Sequence, residues 1–275
     1  MRFVRYGAAG AERPGVLDQD GVIRDLSRDF TDLSGATLAQ LGGIDPRNHP
    51  VVKGDVRLGV PVGAVGKYIC VGMNYTDHAR ENGMQPPREP IIFLKATSAL
   101  CGPNDTVELP QGSLKADWEV ELGVVIGRPA KYVTEAQALS YVAGFVAVND
   151  LSDREFQIER AGQWTKGKSA DTFGPVGPWL VTPDAAGDPQ DMALKFWLNG
   201  VLMQDGHTSN MIFPVARLIS YVSQFMSLHP GDIIATGSPS GVGMGRRPQV
   251  FLKPGDTIEL EVGKLGRQRQ AVIAG

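Results

Sequence analysis

The sequence predicts a mixed α+β fold, mainly β, and three observations carry that prediction. Glycine (34) and proline (19) are abundant among 275 residues, which suits a chain with many turns and not a helical bundle. Short stretches of strand composition recur along the chain, whereas amphipathic helical stretches are few. The two do not alternate, which argues against a doubly wound parallel sheet.

Residues 1–65 read as a small β-rich N-terminal domain. Val16 to Ile23 holds two short apolar stretches around Asp20-Gly21, a hairpin signal. A short helix is expected at 37–41 and a polar connection at 46–53. Tyr68-Ile-Cys-Val-Gly72 predicts a buried strand that opens a second domain, 66–275. Further strands are predicted at 91–95, 118–126, 142–148, 195–198, 232–236 and 257–262. Pro-Gly-Asp at 230–232 and again at 254–256 is a turn that delivers a strand. Helices are expected at 134–141, 152–160 and 214–226. The last has Val215, Leu218, Ile219, Val222 and Phe225 at three-and-four spacing and a proline in its first turn.

Composition excludes several classes. A formal net charge of −3 offers no basic face to nucleic acid. No apolar run approaches the roughly 20 residues that cross a bilayer, and the first ten residues are too short and interrupted for a signal-peptide core. Cys70 and Cys101 lie in apolar stretches and read as core residues of a reducing compartment. A soluble, cytoplasmic protein without nucleic-acid or membrane partners is expected.

One motif is a decoy. Gly162-Gln-Trp-Thr-Lys-Gly167-Lys168-Ser169 matches the phosphate-loop pattern, which requires a strand before it and a helix after it. Here the preceding segment reads as helix, and Pro175 and Pro178 follow, so nucleotide binding is not expected.

The acids are more informative. In Asp117-Trp-Glu119-Val-Glu121-Leu-Gly-Val-Val-Ile126, strand alternation puts Glu119 and Glu121 on one face. Asp117 shares that face nearer the polar end. A solvated edge is the bland alternative, but the apolar run that follows weakens it. Asp150 ends another apolar strand, where a helix N-cap is its bland alternative. Three such carboxylates suit a hard cation, Mg²⁺ or Mn²⁺. His78 and Glu81, three apart in a short helix, would lie side by side. A carboxylate on an imidazole is half of a general-base device, and so short a helix reads as a lid over 74–86. An exposed turn is the alternative. Lys168 follows a Thr-Lys-Gly run that reads as flexible, where a lysine is usually solvated. Thr236 to Gly243 could bring backbone amides to an anion or be a plain turn.

Taken together, these stretches resemble the fumarylacetoacetate hydrolase superfamily. The resemblance lies in Tyr68–Glu81, Asp117–Gly127, Asn149-Asp150, Lys168–Pro178 and Pro230–Gly243, in family order. It implies a β-sandwich roll with a small N-terminal domain, a homodimer and one divalent metal held by Glu119, Glu121 and Asp150. It makes His78 and Glu81 the lid pair and Lys168 an active-site cation. Arg154, Gln157 and Thr236 match substrate-side positions. Two departures stand out: Met73 where some members carry arginine, and Ser238 where threonine is commoner. Within the family the chain most resembles the 2,4-diketo-3-deoxy-L-fuconate and L-rhamnonate hydrolases, often labelled ureidoglycolate lyases. The resemblance implies carbon–carbon hydrolysis of such a 2-oxo acid to pyruvate and a hydroxy acid such as lactate. Oxaloacetate decarboxylation, ureidoglycolate cleavage and non-catalytic small-molecule binding are the rival expectations.

Overall fold

Two β-sheets and the layer between them organise the chain. The computed structural model describes residues 1–81 and 83–275. A nine-stranded sheet runs in the order Ile23–Asp25, Arg13–Leu17, Arg2–Tyr6, Leu180–Val181, Val142–Asn149, Val120–Ile126, Ile233–Ala235, Tyr68–Gly72, Ile91–Lys95. A five-stranded sheet runs Val201–His207, Ala193–Leu198, Thr257–Val262, Arg267–Ala274, Val107–Leu109. Within these sheets only two pairings are parallel: Ile233–Ala235 with Tyr68–Gly72, and Arg267–Ala274 with Val107–Leu109. The mixed, mainly β class read from the sequence is the observed one.

The strand Val120–Ile126 is buried along its whole length. Val120, Leu122, Val124 and Ile126 join Leu194, Phe196, Ile258 and Leu260 in a core between the sheets. Trp118 stacks on Phe196 there, with ring centroids 5.2 Å apart. Val125 turns to the opposite face and joins Phe3, Val16, Leu26, Val146 and Val148 in a second core. Burial on both faces explains why this strand is a continuous apolar run interrupted only by its acids.

The N-terminal strands extend the large sheet instead of forming their own. Arg2 and Phe3 pair with Val181 and Leu180. The expected hairpin is present, with Leu17 opposite Ile23. The far edge of the sheet is Ile91–Lys95, where the Leu94 carbonyl accepts a hydrogen bond from Thr165 Oγ1 at 3.2 Å. Cys70 is fully buried, Cys101 is half-buried, and both are free thiols. Among the described residues, no helix is long and apolar enough to cross a membrane.

Several elements differ from the sequence reading. Residues 152–160 are not one helix. Ser152–Asp153 pairs with Ala116–Asp117 as a short strand, and Glu155–Glu159 is a π-type turn. The cause is tertiary: Arg154 is drawn inward to Asp117 and Glu119, and Asp153 accepts the Phe156 N–H. Residues 134–141 divide into a helical turn, Glu135–Ala138, and a 3₁₀ turn, Leu139–Tyr141. At 37–41 the helix is the 3₁₀ segment Gly35–Gln40. The amphipathic helix is Val215–Phe225. The strand Arg267–Ala274 carries no apolar alternation of its own at its start, because its inward residues there are Gln268 and Gln270. Gln268 Nε2 donates to the Ala147 and Gly177 carbonyls, each at 2.9 Å.

The Thr-Lys-Gly run before Lys168 is also not flexible loop. Trp164–Lys168 is a short helix, pinned to the edge strand by an edge-to-face contact of Trp164 with Phe93 at 5.2 Å. Gly167 lies against the π-type turn: a Cβ there would come within 2.4 Å of Gln157 N and 2.5 Å of Asp153 O. The glycine of the phosphate-loop look-alike is thus a packing requirement. Gly167→Ala gains about 1 kcal/mol of helix propensity but meets immovable backbone, and overpacking costs ~1–3 kcal/mol. The variant is expected to unfold at lower urea concentration with an unchanged m-value. A midpoint equal to or above that of the parent would contradict the close contact.

Candidate metal centre and acid–base pair

Strand pairing assembles the acids. Glu121 lies in Val120–Ile126 and Glu119 just before it, two residues apart, so both project to one face. On the neighbouring strand Asn149 pairs with Val120, and the Asp150 N–H donates to the Glu119 carbonyl at 2.9 Å. That contact brings the third carboxylate alongside. One oxygen from each of Glu119, Glu121 and Asp150 lies within 4.8 Å of the others, and all three residues are buried.

Three buried cations surround them. Lys168 Nζ donates to Asp150 Oδ2 at 2.6 Å and also to Glu119 Oε2. Arg154 donates from Nε to Asp117 Oδ2 and from Nη2 to Glu119 Oε1, both at 2.8 Å. Its Nη1 holds the Gln157 side-chain oxygen at 3.0 Å. Lys95 Nζ donates to Asp150 Oδ1 at 2.5 Å and to the Leu151 carbonyl at 2.8 Å. Lys95 went unremarked in the sequence. Its signal was a charge ending the apolar run Ile91-Ile-Phe-Leu.

The environment separates the two glutamates. Burial raises the pKa of Glu119, but Arg154 and Lys168 outweigh it and hold the carboxyl well below the usual range. Burial also raises that of Glu121, and here Asp150 and Glu119 push it further up against the weaker help of Lys168 and the Gly237 N–H. That N–H donates to Glu121 Oε2 at 2.8 Å. Burial lowers the Lys168 pKa, yet the carboxylates of Asp150 and Glu119 carry it above the ordinary lysine value. Lys95 moves down, since burial and nearby Lys168 exceed the pull of Asp150.

The donor set suits a metal. Four buried acids (Asp117, Glu119, Glu121, Asp150) face three buried cations (Lys95, Arg154, Lys168), leaving one formal negative charge that falls on Glu121. Oxygen-only donors crowded by like charge fit a hard divalent cation.

His78 sits on the helix Thr76–Glu81, 5% exposed. Its Nδ1 lies 3.1 Å from Glu81 Oε2, as the spacing predicts. The lid expectation over 74–86 includes residue 82, which lies outside the described residues. Asn74 ties the start of this segment to the body, donating to the carbonyls of Thr236 at 2.7 Å and Phe213 at 3.1 Å.

These groups share one cavity of about 150 Å³. Glu119, Glu121, Asp150, Arg154, Gln157 and Lys168 line it, together with His78. Apolar residues make up most of the rest of the lining, among them Met73, Met84, Ile91, Ile158, Trp164 and Met244. Of the expected site residues, two do not line it: Glu81, which stands behind His78, and Thr236. The Thr236 hydroxyl donates to the Leu122 carbonyl at 2.8 Å, and Ser238 lines the cavity instead.

The family model "Fumarylacetoacetate (FAA) hydrolase C-terminal" matches residues 67–273. A protein of Burkholderia ambifaria, whose name goes no further than hydrolase, is 55% identical over 277 residues and covers 98% of each chain. Among solved structures, a fumarylacetoacetate hydrolase from Exiguobacterium antarcticum superposes with a TM-score of 0.90 at 34% identity over 100% of both chains. A maleylpyruvate hydrolase from Sphingobium sp. SYK-6, in complex with manganese(II) and pyruvate, gives 0.81 at 30% identity over 100% of both chains. A 2-hydroxyhepta-2,4-diene-1,7-dioate isomerase from Mycobacterium marinum gives 0.77 at 33% identity, over 100% of this chain and 98% of the other. With a buried acid triad, a histidine–carboxylate pair and a family match across the second and larger part of its length, this chain belongs to the fumarylacetoacetate hydrolase family.

Proposed function

We propose that the protein hydrolyses the C3–C4 bond of a 2,4-dioxo acid, releasing pyruvate and a second carboxylic acid. The observation that carries this reading is one cavity lined both by the acid cluster and by His78, whose ring is held by Glu81, with apolar side chains making up most of the rest of its lining. When bound by Glu119, Glu121 and Asp150, Mg²⁺ or Mn²⁺ supplies the positive charge that a 2-oxo acid head needs. The manganese and pyruvate in the Sphingobium structure favour that choice of ion and of leaving group.

The chain's own groups supply the proton transfers. Glu81 engages Nδ1 of His78, so Nε2 is the atom that takes a proton from water. The hydroxide adds to C4, the C3–C4 bond breaks, and its electron pair passes to the pyruvate enolate. The Lys168 ammonium, held by Asp150 and Glu119, stabilises that developing negative charge. His78 then returns its proton to C3, so the water is consumed and no covalent enzyme intermediate is needed. Arg154 and Gln157 fix the geometry of the Glu119 side.

Charge and polarity narrow the substrate. With Glu121 ionised, its proton replaced by a divalent ion, the acids and cations of the cluster carry one excess negative charge, and the ion leaves one excess positive charge, matched by a single substrate carboxylate. Among the described residues, the apolar part of the lining offers no cation for a second. The charge favours a monoanionic 2,4-dioxo acid over oxaloacetate or the longer dioates, and the apolar lining disfavours the polar ureido group of ureidoglycolate, itself a monoanion. Our specific candidate is 2,4-diketo-3-deoxy-L-rhamnonate or its L-fuconate counterpart, with lactate as coproduct. Its part beyond C4 is one hydroxyl and one methyl, small enough in polarity for that lining.

Product analysis tests the choice. Metal-loaded enzyme offered the deoxy sugar acids, 2,4-dioxopentanoate, maleylpyruvate, oxaloacetate and ureidoglycolate is expected to release pyruvate fastest from the monoanionic 2,4-dioxo acids and to leave ureidoglycolate, read by glyoxylate formation, largely uncleaved. Preferential turnover of a dicarboxylate would overturn the charge argument. Glu119→Gln is expected to lose manganese affinity and turnover together, read by electron paramagnetic resonance titration. Full activity in excess chelator would remove the metal from the proposal. His78→Ala should keep its metal affinity and lose roughly 10²–10⁴-fold in kcat, the usual contribution of a general base. Glu81→Gln should lose less, because the imidazole remains. Near-normal hydrolysis by metal-loaded His78→Ala would place the base elsewhere.

A further inference from the structure

The segment 237–245 touches both halves of the site through its backbone. Gly237 N–H donates to Glu121, and Gly243 and Met244 N–H groups donate to Asp117 at 2.6 and 3.1 Å. Towards the helix Thr76–Glu81, Ser240 Oγ donates to Asp77 Oδ2 at 3.1 Å. Gly241 N–H donates to Glu81 Oε1 at 2.9 Å. The two oxygens of Glu81 are therefore divided, Oε2 on His78 and Oε1 on Gly241. Gly245 closes the space behind that carboxylate. A Cβ at 245 would lie 2.4 Å from Glu81 Cδ, 2.7 Å from Oε1 and 2.8 Å from Cγ. Gly245 is not among the positive-φ glycines, so the backbone there tolerates alanine. What glycine supplies at 245 is room for Glu81.

We propose that Gly245 and the Gly241 N–H are positioning elements for the proton-transfer step, acting through Glu81 on His78. The proposal rests on the reading of His78 and Glu81 as the acid–base pair. A methyl group at 245 pushes the Glu81 carboxylate off the Gly241 N–H and away from Nδ1. A reacting group misplaced by about 1 Å can cost ~10²-fold in rate. The acid cluster is untouched, because neither residue bonds to it.

A double-mutant cycle tests this. Gly245→Ala is expected to lower kcat about 10–10²-fold on 2,4-dioxopentanoate, with KM and manganese affinity changed by less than about threefold. In a Glu81→Ala background there is no carboxylate to displace, so the same substitution should cost less than about twofold. Equal fold losses in both backgrounds, or a loss of manganese affinity, would overturn the proposal. If Gly245→Ala does not fold alone, recovery of folding in the Glu81→Ala background supports the contact, and failure in both overturns it. The parent reading fails differently: Glu81→Ala and His78→Ala would each leave kcat near normal, whatever happens at 245.

Discussion

Everything at the centre of this molecule depends on burying four carboxyl groups together. Carboxylates this close repel, and removal from water makes each of them costly. Lys95, Arg154 and Lys168 offset most of that cost, and each arrives from a different part of the chain. The edge strand brings Lys95, the chain after Asp150 brings Arg154, and the helix Trp164–Lys168 brings Lys168. The contacts that pin these segments, such as Trp164 on Phe93 and Gly167 on the backbone of 153–157, therefore serve the electrostatics as much as the packing. Glu121 is left as the acid without a cation of its own, which gives a dication its place.

The second organising device is backbone. Asp117, Glu121, Asp77 and Glu81 are met by amides or a hydroxyl from one short segment. Amide donors add no counter-charge and no flexible side chain, so they fix carboxylate positions without cancelling their charge. Among the proposed metal ligands, Glu121 is held by the Gly237 N–H and Glu119 and Asp150 by ion pairs, while Asp117 takes both kinds of partner.

This division also explains what could be read from residues alone. Glu119 and Glu121 announce themselves because strand alternation is strict, and Asp150 because it ends an apolar run. His78 and Glu81 follow from helical spacing. Lys95 is harder, since one charge at a strand end usually reaches water. The amide donors of Gly237, Gly241 and Gly243 leave no mark in sequence beyond a richness in glycine that also fits a plain turn. Thr236 misled for a related reason: its hydroxyl turns to the Leu122 carbonyl, and the cavity position falls to Ser238. Residues 152–160 carry a helical pattern, but Arg154 has stronger partners across the sheet than along the chain. Local propensity yields to tertiary contacts there.

The pairing of Arg2–Tyr6 with Leu180–Val181 has a bearing on how this chain behaves in concentrated solution. A broad sheet with bare margins is a template for further chains. At one side of the large sheet, the N-terminal strands cover the backbone of Leu180–Val181 and move the margin to Ile23–Asp25, a three-residue strand whose outer backbone groups are in turn met by residues 50–52. At the other side a threonine hydroxyl occupies the Leu94 carbonyl. The first residues of the chain thus close a sheet margin that, left bare, would be a template for pairing with other strands.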